Sequence, residues 1–129
     1  MIDEQRPSSR FITGLDLGQV NDFTALAVLE QTLIDSSDVP HRWTYSVRHL
    51  ERFQLGTSYP DIVARVGEII SAPTLQQSVL ATDKTGVGQA VVDMLRGARL
   101  NAYQYGINIT AGTTCQGSTP RFRAFVAHE

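Results

Sequence analysis

The chain has 129 residues and a formal charge of −2, enough for one domain around one core and too few for two. With 42% hydrophobic and 19% charged residues, it has the make-up of a globular protein, which excludes disordered, collagenous and coiled-coil chains. The near-neutral balance also excludes nucleic-acid binding by bulk charge alone, while leaving room for a nuclease whose basic surface is local.

Residues 1–10 read as a polar leader without the apolar stretch of a signal peptide. Phe11 to Leu17 alternates apolar with small or polar residues and is a predicted strand. Gly18 to Asp22 is a turn. Phe23 to Ile34, apolar and rich in β-branched residues, is the predicted second strand of a hairpin. Asp35 to Pro40 is a loop, and Arg42 to Leu55 is the third strand. Ser58 is placed to cap a helix, with Pro60 in its first turn and Asp61 suited to the helix dipole. Ile62, Val63, Val66, Ile69 and Ile70 recur at three- and four-residue spacing, so the helix is predicted over Tyr59 to Ser71. Ala72-Pro73-Thr74 ends it. Ser78 to Thr82 is a short buried strand, and Asp83 to Gly88 is a turn. Gln89 to Leu100 is a second helix with Val91, Val92 and Leu95 on one face. Asn101 to Ile109 alternates strictly and is the fifth strand. Thr110 to Pro120 reads as a loop, and Arg121 to Glu129 is a tail of unassigned state.

The order β-β-β-α-β-α-β implies an α/β fold (an α+β mixed sheet). Its five strands comprise an antiparallel meander followed by two parallel strands, with the two helices as crossovers packed on the sheet. No apolar run reaches the roughly 20 residues that span a bilayer, so no membrane contact is expected and the expected location is cytoplasmic.

Two carboxylates stand out. Asp16 lies between Leu15 and Leu17, so alternation turns it to the opposite face. A carboxylate within an apolar strand is costly unless paired or metal-bound. The plainer alternative is an exposed aspartate on a solvated face. Asp83 follows a short apolar strand and precedes a helix, and functional groups gather at the carboxyl ends of strands in open sheets. Its plainer alternative is a cap for the turn. If the first and fourth strands are neighbours, the two carboxylates converge. Such a pair favours a divalent cation, Mg²⁺ or Mn²⁺, able to activate water and take charge from a phosphoryl oxygen.

Other residues carry less. Asp22 is read as turn chemistry. Lys84, the one lysine against ten arginines, is a solvated neighbour of Asp83 or a phosphate contact. Thr85-Gly86-Val87-Gly88 lacks the phosphate-loop pattern. His41, His49 and His128 have no ligand spacing, and Ser36, Ser37 and Ser58 lack a nucleophile-elbow context. Cys115 cannot form an internal disulfide or a cysteine-based zinc site and reads as a bland loop residue. Tyr103 and Tyr105 share a strand face and are expected to pack against a helix in preference to stacking bases. Arg121 and Arg123 read as part of a solvated tail.

Four segments, GLDLGQVNDFTALAVLE, YPDIVARVGEII, TDKTGVGQAVVDMLR and GINITAG, stand in an order that resembles the C-terminal nuclease domain of phage terminase large subunits. The resemblance covers residues 12–112. It implies an RNase H-like fold over residues 11–112, with 113–129 as a divergent tail. It further implies metal-dependent, two-ion hydrolysis of double-stranded DNA during packaging. Asp16 and Asp83 would be the first two metal ligands as well as the catalytic carboxylates, with Mg²⁺ or Mn²⁺ as the ion. The sequence departs from the family in three ways. It shows no preceding ATPase domain, the third acidic ligand expected beyond the fifth strand is lacking or replaced, and the tail after Gly112 no longer matches, with Glu129 its one carboxylate, so a C-terminally truncated nuclease is expected. Two alternatives stay open. One is a non-catalytic RNase H-like module that oligomerises over a bare sheet face. The other is a resolvase-like or phosphate-binding actin-like protein, because the DxG strand is shared with those groups.

Overall fold

A computed structural model describes residues 9–35, 42–111 and 122–127. The first three strands form a meander: β1 (Ser9–Asp16), β2 (Ala25–Asp35) and β3 (Arg42–Arg52), each antiparallel to the next. β1 starts two residues before the predicted Phe11, because Ser9 and Arg10 pair with Thr32 and Gln31 of β2. β3 ends at Arg52, three residues short of the predicted Leu55. Phe53 N–H leaves the ladder to donate to the Thr24 carbonyl, and Gln54 to Thr57 closes a turn in which Gly56 has φ +83, a conformation that favours glycine.

The chain then crosses over twice. α1 (Tyr59–Ile70) begins where Ser58 accepts a hydrogen bond from Asp61 N–H at 3.2 Å, as its sequence suggests. A short 3₁₀ turn, Pro73–Leu75, leads to β4 (Ser78–Asp83), and α2 (Gly88–Gly97) leads to β5 (Ala102–Ala111). α2 stops at Gly97, before the predicted Leu100. Arg99 takes φ +51, which a helix cannot continue through. β4 pairs parallel with both β1 and β5. Thr110 and Ala111, predicted as loop, extend β5, and a sixth strand, β6 (Phe122–Ala127), pairs antiparallel with it. The strand order is β3-β2-β1-β4-β5-β6. The architecture is thus the mixed sheet with two helices packed on it that the sequence predicts, with one strand more. The expectations that fall on 1–8, 36–41, 112–121, 128 and 129, including His41, Cys115, Arg121 and His128, lie outside the described residues.

Both helices cover the same face. Ile62, Val66 and Ile70 of α1, with Val91 and Leu95 of α2, form one core with Leu15, Leu26, Val28 and Leu80 of the sheet. These α1 positions recur every four residues, which keeps them on one helix flank. Arg65 of α1 ties that layer to β3 through Glu51 at 3.1 Å and also meets Glu68 at 2.9 Å. Those hydrogen bonds hold its guanidinium above the usual arginine range. Gln104 of β5 donates to the Leu95 carbonyl at 3.1 Å.

The opposite face carries no helix among the described residues. It presents Ile12, Gly14 and Asp16 of β1, Ala25, Ala27 and Leu29 of β2, and Val79, Ala81 and Asp83 of β4, alternating with the buried set. Tyr45, Val47, Leu50, Tyr103 and Ile109 are at least half exposed there. Tyr103, expected against a helix, therefore stands on the uncovered face at 61% exposure. The strand alternation that puts Ala102 and Gln104 under the helices puts the tyrosines opposite.

Two substitutions check this packing by urea denaturation. Leu80→Ala, at a fully buried position, is expected to cost about 2–5 kcal/mol. Thr13→Val removes a buried hydroxyl that has no hydrogen-bond partner while keeping its shape. It is expected to leave stability unchanged or raise it by up to about 1–3 kcal/mol.

Candidate metal centre

The β1–β4 register decides where the carboxylates go. Ile12 to Leu15 pair in sequence with Val79 to Thr82. One residue beyond the last pair, Asp16 and Asp83 stand side by side, about one strand spacing of 4.8 Å apart. Leu15 and Thr82 are buried under the helices, so the aspartates turn to the uncovered face. Asp16 is exposed and Asp83 half-buried. The two line one end of a shallow cavity of about 370 Å³, floored by Gly14, Ala25, Ala27 and Ala81 and walled by Leu50 and Ile107. The convergence conditional on neighbouring strands is therefore met.

The loops at this end fix the surroundings. Asp83 Oδ1 accepts a hydrogen bond from Thr85 N–H at 2.9 Å, so Asp83 caps the turn and keeps its other carboxylate oxygen out of that bond. Thr85 Oγ1 accepts from Ile109 N–H at 3.3 Å, tying the turn to β5. In the β1–β2 turn, Gly18 N–H donates to Thr24 Oγ1 at 3.1 Å and Asp22 N–H to the Gln19 carbonyl at 2.9 Å. Asp22 is thus a turn residue, as read. Gln19 reaches the other loop, its amide nitrogen lying 3.3 Å from where a Cβ on Gly86 would sit. Lys84 does not join the carboxylates. Its backbone N–H donates to the Ile107 carbonyl at 2.9 Å, and its stem lies over Gly106, a residue of the helix-covered side. One strand step beyond Asp83 reverses the side-chain direction.

The same row extends across the sheet. Ala25 pairs with Asp16 on one side and with Arg52 of β3 on the other, so Arg52, Ala25, Asp16 and Asp83 share one face. The Arg52 guanidinium carbon lies 4.2 Å from the Phe23 ring centroid. Sequence reasoning missed Arg52, because irregularities in the β2–β3 register after Val28 and after Leu33 break the alternation that would have assigned its face.

The donor set fits one small divalent cation. Asp16 has no hydrogen-bond or ion-pair partner among the described residues, and Asp83 has one oxygen engaged, so carboxylate oxygens from two adjacent strands are open on one face. Mg²⁺ commonly takes one or two carboxylates and keeps waters for the rest. Among the described residues no group of three His, Cys, Asp or Glu side chains comes together.

The chain is similar to large terminase nucleases. Two solved structures of the large terminase nuclease from thermophilic phage G20c align with it, one with bound zinc and one with bound magnesium. Each is 23% identical and covers 77% of this chain, with TM-scores of 0.47 and 0.48. The chain spans about half the length of these structures, 49% and 45% respectively. No family profile and no curated protein matches the sequence. No helix among the described residues is long and apolar enough to cross a membrane.

The close fit of α2 against the end of β4 gives a check. A Cβ on Gly88 would collide with the backbone carbonyl of Asp83. Gly88→Ala is expected to push α2 away from Asp83, costing about 1–3 kcal/mol and weakening Mn²⁺ binding, both measurable by denaturation and calorimetry.

Proposed function

We propose that the chain is a terminase-type, metal-dependent DNA endonuclease domain in which Asp16 and Asp83 hold Mg²⁺ or Mn²⁺. The observation that carries this reading is their side-by-side position at the carboxyl ends of parallel β1 and β4, on the one sheet face that no described helix covers. The ordered resemblance of four segments to terminase nuclease domains supports it independently. A divalent ion held there supplies acidified water and charge neutralisation at a phosphoryl oxygen. The chain's own part is to fix the two carboxylates: Thr85 N–H orients Asp83, and the β1–β4 ladder holds Asp16 beside it. The flat Gly14, Ala27 and Ala81 floor leaves the approach unobstructed. The substrate is double-stranded DNA.

The test is plasmid cleavage with Mn²⁺. The native chain is expected to nick or linearise DNA, with Asp16→Asn and Asp83→Asn each lowering the rate by at least about 100-fold, the scale of removing one transition-state charge stabiliser. An intact chain that neither cleaves DNA nor binds Mn²⁺ by calorimetry contradicts the reading.

The exposed apolar residues favour a second reading, an RNase H-like module that pairs with a second copy over the bare face. From Leu50 on β3 to Ile109 on β5 is four strand spacings, and Tyr103 to Ile109 is six residues, giving roughly 400 Å² of projected face. A standard stable interface buries about 800 Å² per partner, so association through this face would be weak and concentration-dependent. Sedimentation across a concentration series checks it. Dimerisation abolished by Leu50→Glu supports this reading, and a monomer at every concentration removes it.

A further inference from the structure

We propose that Arg52 is a phosphate contact for DNA lying across the Asp16–Asp83 site, held in position by the ring of Phe23. The proposal rests on the nuclease reading and adds the group that grips the substrate backbone. Two neighbouring carboxylates repel a polyanion, so a site built on them gains from a fixed cation at its margin. Arg52 meets that need by register. Through Ala25 it shares the row of Asp16 and Asp83. Its backbone stands two strand spacings, about 10 Å, from that of Asp16, close to three nucleotide rises along one DNA strand.

Three other arginines, Arg48 and Arg10 on the sheet and Arg65 on α1, are engaged differently. Arg48 is paired with Glu30 at 2.6 Å, and Arg65 with Glu51 and Glu68, so both are neutralised. Arg10 donates to Gln31 Oε1 at 2.6 Å and lies 4.9 Å from the Trp43 ring centroid, at the far end of β1 from the aspartates. Arg52 is exposed, and no carboxylate pairs with it among the described residues. Its contact is the face of Phe23, a residue itself 43% exposed at the mouth of the β1–β2 turn. An aromatic ring orients a guanidinium without cancelling its charge. The fork of N–H donors is left free to meet a phosphodiester in the bidentate geometry that makes arginine–phosphate contacts strong.

The experiment measures binding of the full chain to a fluorescent DNA duplex by anisotropy across a series of NaCl concentrations, with Ca²⁺ replacing Mn²⁺ to suppress cleavage. Mn²⁺ affinity is measured in parallel by calorimetry. Arg52→Gln is expected to weaken DNA binding several-fold and lower the slope of log K against log[salt] by about 0.9, the signature of one lost phosphate contact, with Mn²⁺ affinity unchanged. Arg52→Lys, which keeps the charge, is expected to retain the slope. Phe23→Leu is expected to weaken binding with the slope retained. An Arg52→Gln chain that binds DNA with native affinity and slope overturns the Arg52 assignment and leaves the nuclease reading standing. A native chain that binds no DNA at low salt overturns both.

Discussion

Parallel pairing of β1 with β4 is the contact on which the proposed site depends. Asp16 and Asp83 are 67 residues apart in sequence, and among the described residues no side-chain network brings them together. Only the ladder from Ile12 and Val79 to Leu15 and Thr82 sets them in one row. The side-chain period of a strand is two, so a slip of one residue would send one carboxylate under the helices and leave the other alone. The register is held by burial: Leu15, Thr13 and Leu80 fit beneath α1 and α2 only when the aspartates face outward.

This arrangement divides the sheet's faces by purpose. The helix side supplies the cohesion, with one continuous core from Leu26 to Leu95. The other side supplies an open surface of small residues near the carboxylates and larger apolar residues toward β3 and β5. The crossover helices produce this asymmetry directly, because two right-handed connections between parallel strands advancing in one direction stay on one face. The two proposed functions both use the side that no described helix covers, one for a DNA duplex and the other for a second protein copy.

Much of this was legible in the sequence, for local reasons. The α1 cap at Ser58 and the four-residue recurrence of Ile62, Val66 and Ile70 are written in adjacent residues. So is the outward turn of Asp16 between two buried leucines. The meeting of Asp16 with Asp83 could be stated only conditionally, because strand adjacency is a long-range fact. The side chosen by Tyr103 and by Lys84 depended on which face the helices took, and periodicity alone does not encode that choice. The face of Arg52 was hidden by the irregular β2–β3 register. β6 was missed because it lies past a polar, threonine-rich stretch, and its six residues are interrupted by the charged Arg123.

In the proposed function, Asp16 and Asp83 together hold a divalent cation on the face that no described helix covers. Paramagnetic broadening of backbone amide signals during Mn²⁺ titration of the ¹⁵N-labelled chain tests it most directly. The first signals lost are expected to be those of Gly14 to Asp16, Ala25 and Ala81 to Thr85. Broadening centred on Glu51 and Glu68 of the helix-covered side, or none at all, would contradict it.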